Sequence, residues 1–126
     1  MKYLKQFEEQ KTKLPLNHDI EIHDYVIIKK LSKRRFLLED LNNFLLNNIG
    51  YILWIDKRKE VNDRRYLIEY ANVPNELKEH FTESENGLIY FDIIIGKYYG
   101  SELKKITNKI KIEEFNIEKM AAKYNL

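Results

Sequence analysis

The chain has 126 residues, of which 44% are hydrophobic and 33% are charged, and it contains no cysteine. This balance is typical of a folded globular protein, and the length predicts a single domain over residues 1–126. The lack of cysteine excludes disulfides and thiolate zinc sites and favours a cytoplasmic setting. No stretch is apolar over the roughly eighteen residues of a membrane span, so we expect a soluble protein without a membrane partner. The formal net charge of +2 is too small to indicate a nucleic-acid partner by itself.

The first two predicted elements are a helix and a strand. Residues 2–13 have the spacing of an amphipathic helix, which ends before Pro15 because a residue that precedes proline is disfavoured in the helical region. Residues 18–28 alternate between apolar and polar side chains before a short apolar run, and this pattern predicts a strand.

The stretch 36–55 is predicted to form the nucleus of the core. Leucine and phenylalanine recur at three- and four-residue steps up to Leu46, as in an amphipathic helix. Gly50 is predicted to end this helix in a left-handed conformation. Residues 51–55 are apolar on both alternating faces, so they predict an interior strand that is covered on both sides.

Four further elements follow in chain order. A polar segment, 56–65, separates the interior strand from a second strand over residues 66–71, which is the pattern of a β-hairpin with an exposed basic tip. A short helix is predicted from Asn75, and a turn is predicted over residues 84–87. The most apolar segment, 88–95, predicts a strand in the middle of the sheet.

The C-terminal part is predicted to form two helices. One begins at Ser101 and turns Leu103, Ile106 and Ile110 inward, and the other spans residues 116–124. Together these elements predict an α+β fold, in which a single antiparallel or mixed sheet of about four strands packs against helices.

Charged residues are unevenly distributed along the chain. Residues 29–65 hold ten Lys and Arg against five Asp and Glu, whereas residues 66–95 hold one Lys against six acids. Four glutamates of the second segment form what we call the acidic block: Glu76, Glu79, Glu83 and Glu85. Because charged faces steer and select partners, the acidic block predicts a binding face for a basic protein.

The basic residues predict an alternative surface, for nucleic acid or another anion. They lie in the segments 29–35 and 57–65, which we call the basic clusters. The strongest candidates among them are Lys33, Arg34, Arg35, Lys57, Arg58, Lys59, Arg64 and Arg65. The two clusters meet at one end of the domain if the predicted helix runs antiparallel to the strand that follows it, and helix N-termini attract anions. No aromatic residue is predicted to be exposed among them.

Four residues are weak candidates for metal ligands: His18, His23, Asp92 and Glu69. The two histidines are five residues apart on a predicted strand, so they point to opposite faces and a single strand cannot aim both at one ion. Asp92 stands inside an apolar strand, where burial would raise the pKa of a carboxyl that has no partner. The alternative interpretation of Asp92 is an ion-paired acid on the solvent side of the strand. No metal site is therefore predicted.

The sequence contains no phosphate-binding loop, nucleophile elbow or other catalytic motif, so no catalytic residue and no cofactor is predicted. The interpretation that remains is a non-catalytic module that binds another protein. Within that class, a small bacterial or phage inhibitor of the immunity, antitoxin or counter-defence kind fits the size and the segregated charge. The alternatives are a nucleic-acid-binding protein that uses the basic clusters and a metal-dependent hydrolase or nuclease.

Overall fold

One antiparallel sheet is the frame of the fold. The computed structural model describes residues 20–31, 39–58, 64–95 and 102–124. These residues form six strands, β1 (Tyr25–Lys30), β2 (Gly50–Ile55), β3 (Arg64–Tyr70), β4 (Thr82–Glu83), β5 (Ile89–Ile95) and β6 (Glu102–Lys105). Their order across the sheet is β4-β5-β3-β2-β1-β6, and all neighbours are antiparallel. Two α-helices, α1 (Glu39–Asn47) and α2 (Lys109–Tyr124), and the 3₁₀-helix Asn75–His80 accompany them. The predicted α+β fold is confirmed.

Helix α1 covers one face of the sheet and forms the main core with it. Leu41 and Leu45 are fully buried at this interface, and the Phe44 ring lies 5.6 Å from the ring of Tyr70. The sheet contributes apolar side chains at alternate positions of its strands, as expected for a face that is shielded from water. The buried members are Val26, Ile28, Ile52, Tyr66, Ile68, Phe91 and Ile93. The predicted amphipathic helix before Gly50 therefore exists and provides one half of this core.

Helix α2 packs on the opposite face of the sheet. The ring of Phe115 meets the ring of Tyr25 edge to face at 5.6 Å. Lys119 binds Glu69, which follows Ile68 and precedes Tyr70 on β3 and thus points away from α1. No helix in the described part of the chain is long and apolar enough to cross a membrane.

The prediction of about four strands was too low, because the sequence patterns of β4 and β6 are too weak to be recognised. β4 has only two residues, and both are exposed. Leu103 in β6 and Ile106 just after it are apolar and three positions apart, which imitates a helical step. The segment instead extends along β1, where Leu103 is paired with Ile28 and is buried.

The prediction of two C-terminal helices was right only in part, because residues 116–124 are helical but belong to one longer helix. A single helix, α2, runs from Lys109, and its cap is Asn108, whose Oδ1 accepts hydrogen bonds from the backbone N–H groups of Ile110 and Lys111. Ile110 is 67% exposed instead of buried, because the side of α2 that faces the sheet is set by Phe115 and Lys119. The predicted cap Ser101 lies outside the described residues.

The structure requires glycine at position 50 for a reason other than the predicted one. Gly50 is the first residue of β2 and does not end α1 in a left-handed conformation. Among the described glycines, a positive φ angle occurs at Gly87 and not at Gly50. A Cβ atom on Gly50 would lie 2.2 Å from Cγ2 of Ile68 and 3.1 Å from Cζ of Tyr70. Glycine is therefore required by the close approach of β2 to the side chains of β3.

Strand β2 is not covered on both sides along its whole length. Its register with β3 shifts between Ile52 and Trp54, so one residue is inserted at this point. After the shift Trp54 lies opposite Leu67, on the face that carries α2, and it is 40% exposed. Helix α2 contacts Tyr25, Tyr51 and Glu69 on this face.

The remaining local predictions differ little from the structure. Strand β1 begins at Tyr25 after a turn, later than the predicted strand over residues 18–28. The turn over 84–87 is present, and Gly87 adopts φ 78° there. β5 lies second from the edge, between β3 and β4, instead of in the middle of the sheet. The helix predicted over residues 2–13 lies outside the described residues.

Candidate functional site

The acidic block lies along one edge of the sheet. Glu76 and Glu79 belong to the 3₁₀-helix, Glu83 lies in the edge strand β4, and Glu85 lies in the turn that leads to β5. All four side chains are exposed. The buried residue Leu77 holds the 3₁₀-helix against the core and so positions the first two acids.

The acidic block has little internal compensation for its charge. Oε1 of Glu79 lies 3.5 Å from Nε2 of its neighbour His80. Among the described residues, this is the one contact within ion-pair distance that a member of the acidic block makes. Glu76, Glu83 and Glu85 form no ion pair with any described residue. The negative potential of this edge is therefore available to a partner.

The basic residues at the hairpin tip are, in contrast, paired within the molecule. Nζ of Lys57 lies 2.6 Å from Oε2 of Glu21. Arg58 binds Asp56 through two N–H groups at 2.9 and 2.8 Å. These hydrogen bonds and the backbone N–H of Arg58 lower the pKa of Asp56 from 3.8 to about 2. The positive charge of Lys57 and Arg58 is thus partly neutralised before any ligand arrives.

The other basic candidates are only partly described. Arg64 and Arg65 begin β3, and Arg65 binds the carboxylate of Asp92 on β5 through Nε at 2.7 Å and through a second N–H group. This fork is the bidentate geometry that arginine and carboxylate groups prefer. The described lysines of the sheet lie in β1 and in the edge strand β6, which is roughly 24 Å from β4 at the usual strand spacing. Four members of the basic clusters lie outside the described residues: Lys33, Arg34, Arg35 and Lys59.

The weak metal candidates do not converge on one ion. Asp92 is exposed and is bound by Arg65, whereas Glu69 is buried beneath α2. His23 is a turn residue, and its Nδ1 lies 2.6 Å from the hydroxyl of Tyr51. Within the described chain, no group of three or more His, Asp or Glu side chains could hold a metal ion. His18 lies outside the described residues.

An ion pair between sheet and helix, in which the carboxylate is buried and the lysine is partly exposed, was not predicted from the sequence. Lys119 Nζ donates a 2.9 Å hydrogen bond to Oε1 of Glu69, whose side chain is only 3% exposed. The same ammonium lies 5.6 Å from the centre of the Tyr51 ring. Burial and the nearby hydroxyl of Tyr25 raise the pKa of Tyr51. Fifty positions separate Glu69 from Lys119, so no local pattern could have identified this pair.

A cleft of about 650 Å³ opens beside this ion pair. We call it the edge cleft; it lies between the end of β3, the turn before β5 and the C-terminal half of α2. Its charged and amide side chains are Glu69, Asn72, Lys78, Glu83, Asn86 and Lys119. The edge cleft therefore joins a buried carboxylate to one glutamate of the acidic block.

Comparison of the chain with protein-family models, with curated proteins and with solved structures yields no match. The function is therefore argued from the geometry and charge of the described residues.

Proposed function

We propose that the protein is a non-catalytic module that binds a basic surface of another protein through its acidic block. The observation that carries the proposal is an asymmetry of ion pairing. Three acids of the block have no ion-pair partner among the described residues, whereas Lys57, Arg58 and Arg65 each bind a carboxylate of the same chain. Uncompensated charge attracts an oppositely charged partner more strongly than charge that is already paired.

A small inhibitor is the narrower form of this proposal. An acidic edge of this kind would cover a basic cleft such as the one that binds the substrate of a nuclease, and charge complementarity would raise the association rate and select the partner. An immunity, antitoxin or counter-defence protein would act in this way. The absence of cysteine suits a partner that is met in the reducing cytoplasm.

Charge-matched variants test the proposal. Glu76, Glu83 and Glu85 are changed to Gln in one variant, and the control variant carries Glu113→Gln, Glu114→Gln and Glu118→Gln at exposed positions of α2. Tagged wild-type protein captures partners from a lysate of the source cells, and each captured protein is titrated with the purified variants. We expect the first variant to bind at least about tenfold more weakly and the control to bind like the wild type.

Two outcomes contradict the proposal. One is equal binding by the two variants, which would make the position of the acids irrelevant. The other is the recovery of nucleic acid without a protein partner.

Exposure of Trp54 favours a second candidate function, the binding of single-stranded nucleic acid at the hairpin tip. Trp54 is 40% exposed and shares the open part of its sheet face with Arg65, so a base could stack on the indole beside the basic residues. It is the single tryptophan of the chain, so its fluorescence is a specific probe. Titration with an oligonucleotide should quench this fluorescence, and binding should weaken steeply as salt is added. Unchanged fluorescence would exclude the stacking mode.

A further inference from the structure

We draw no further inference here: the strongest candidate, the surface patch that the exposed apolar side chains of Ile110, Ile117 and Met120 form on α2, is an unpartnered helix face, and nothing in the described residues shows what covers it.

Discussion

At the scale of single residues, Glu69 shows how tertiary contacts decide the role of a charged side chain. Side chains along β3 point alternately to the two faces of the sheet, so Glu69 points away from the face of Ile68 and Tyr70. Helix α2 covers the face to which Glu69 points. Lys119 meets it there and provides the positive charge that a buried carboxylate requires. Asp92 is only two strand positions further along, opposite Leu67, yet it is exposed and is bound by Arg65. Two acids on one sheet face thus have different partners because α2 covers only one of them.

Removal of Lys119 should destabilise the protein. The change Lys119→Met leaves a buried carboxylate without its partner, and we expect a loss of about 2 kcal/mol in the free energy of unfolding, reduced from the value for fully buried pairs because Lys119 is partly exposed. Urea unfolding measures this loss. The control is Lys104→Met, an exposed lysine of β6 that should change stability little.

The double variant Glu69→Leu with Lys119→Met completes this test. It should recover most of the lost stability, because an apolar pair replaces the ion pair without leaving a charge. A double variant that is less stable than Lys119→Met alone would contradict the assignment of the pair.

The pKa of Asp56 predicts a specific pH dependence. Because Arg58 lowers this pKa to about 2 in the folded state, against 3.8 normally, the pair stabilises the fold above pH 3.8 and this stabilisation is lost as the pH falls towards 2. The variant Arg58→Gln should therefore be less stable than the wild type at neutral pH, and the difference should shrink from pH 3.8 downwards and vanish below about pH 2. Urea unfolding across this pH range measures the difference, and a difference that is constant with pH would contradict the prediction.

At the scale of elements, the position of the junction between α1 and β2 was predicted correctly, but the reason for the glycine at this junction was not. The change from helical to strand periodicity near Gly50 is visible in the residues themselves, because the two periods are 3.6 and 2. The contact between Gly50 and Ile68 is not visible, because it joins residues of different strands. Likewise, β6 was mistaken for a helix because a strand of four residues is too short for its alternation to outweigh one helical spacing.

Replacement of Gly50 tests the close approach of β2 to β3. The change Gly50→Ala places a Cβ atom 2.2 Å from Ile68, and the resulting overpacking should cost about 2 to 3 kcal/mol of unfolding free energy. Gly87→Ala is the comparison, since no atom lies within 4 Å of its Cβ and only the positive φ is strained, at about 1 kcal/mol. Equal losses for the two variants would contradict the explanation of Gly50 by close packing.

At the scale of the whole molecule, the strand order sets how far the acidic block lies from the lysines of β1 and β6, of which Lys29 is paired with Glu102 and Lys105 with Asp24. The edge strand β4 and the 3₁₀-helix carry the acidic block, while β1 and β6 lie at the other end of the strand order. Because the acids of the block repel one another, the free protein should be less stable than it would be with a neutral edge. This arrangement is understandable if a partner supplies the missing positive charge.

Neutralisation of the acidic block should therefore stabilise the free protein. The variant with Gln at 76, 83 and 85 is expected to unfold at a higher temperature than the wild type at low ionic strength. The difference should disappear near 1 M salt, where screening acts over about 3 Å. Calorimetry at the two salt concentrations measures it. A lower unfolding temperature for the variant would mean that these glutamates stabilise the fold and would argue against a docking role.

The sequence by itself determined the class of the fold, the helix and strand on either side of Gly50, the hairpin between β2 and β3, and the separation of acidic from basic segments. These features depend on residues that are close in the chain, through hydrophobic period, turn residues and local charge. The tertiary structure alone decided the order of the six strands, the pairing of Glu69 with Lys119 and of Asp92 with Arg65, the exposure of Trp54 and the edge cleft. Each of these joins residues far apart in the chain, and their partners were selected by the packing of complete elements and not by any local pattern.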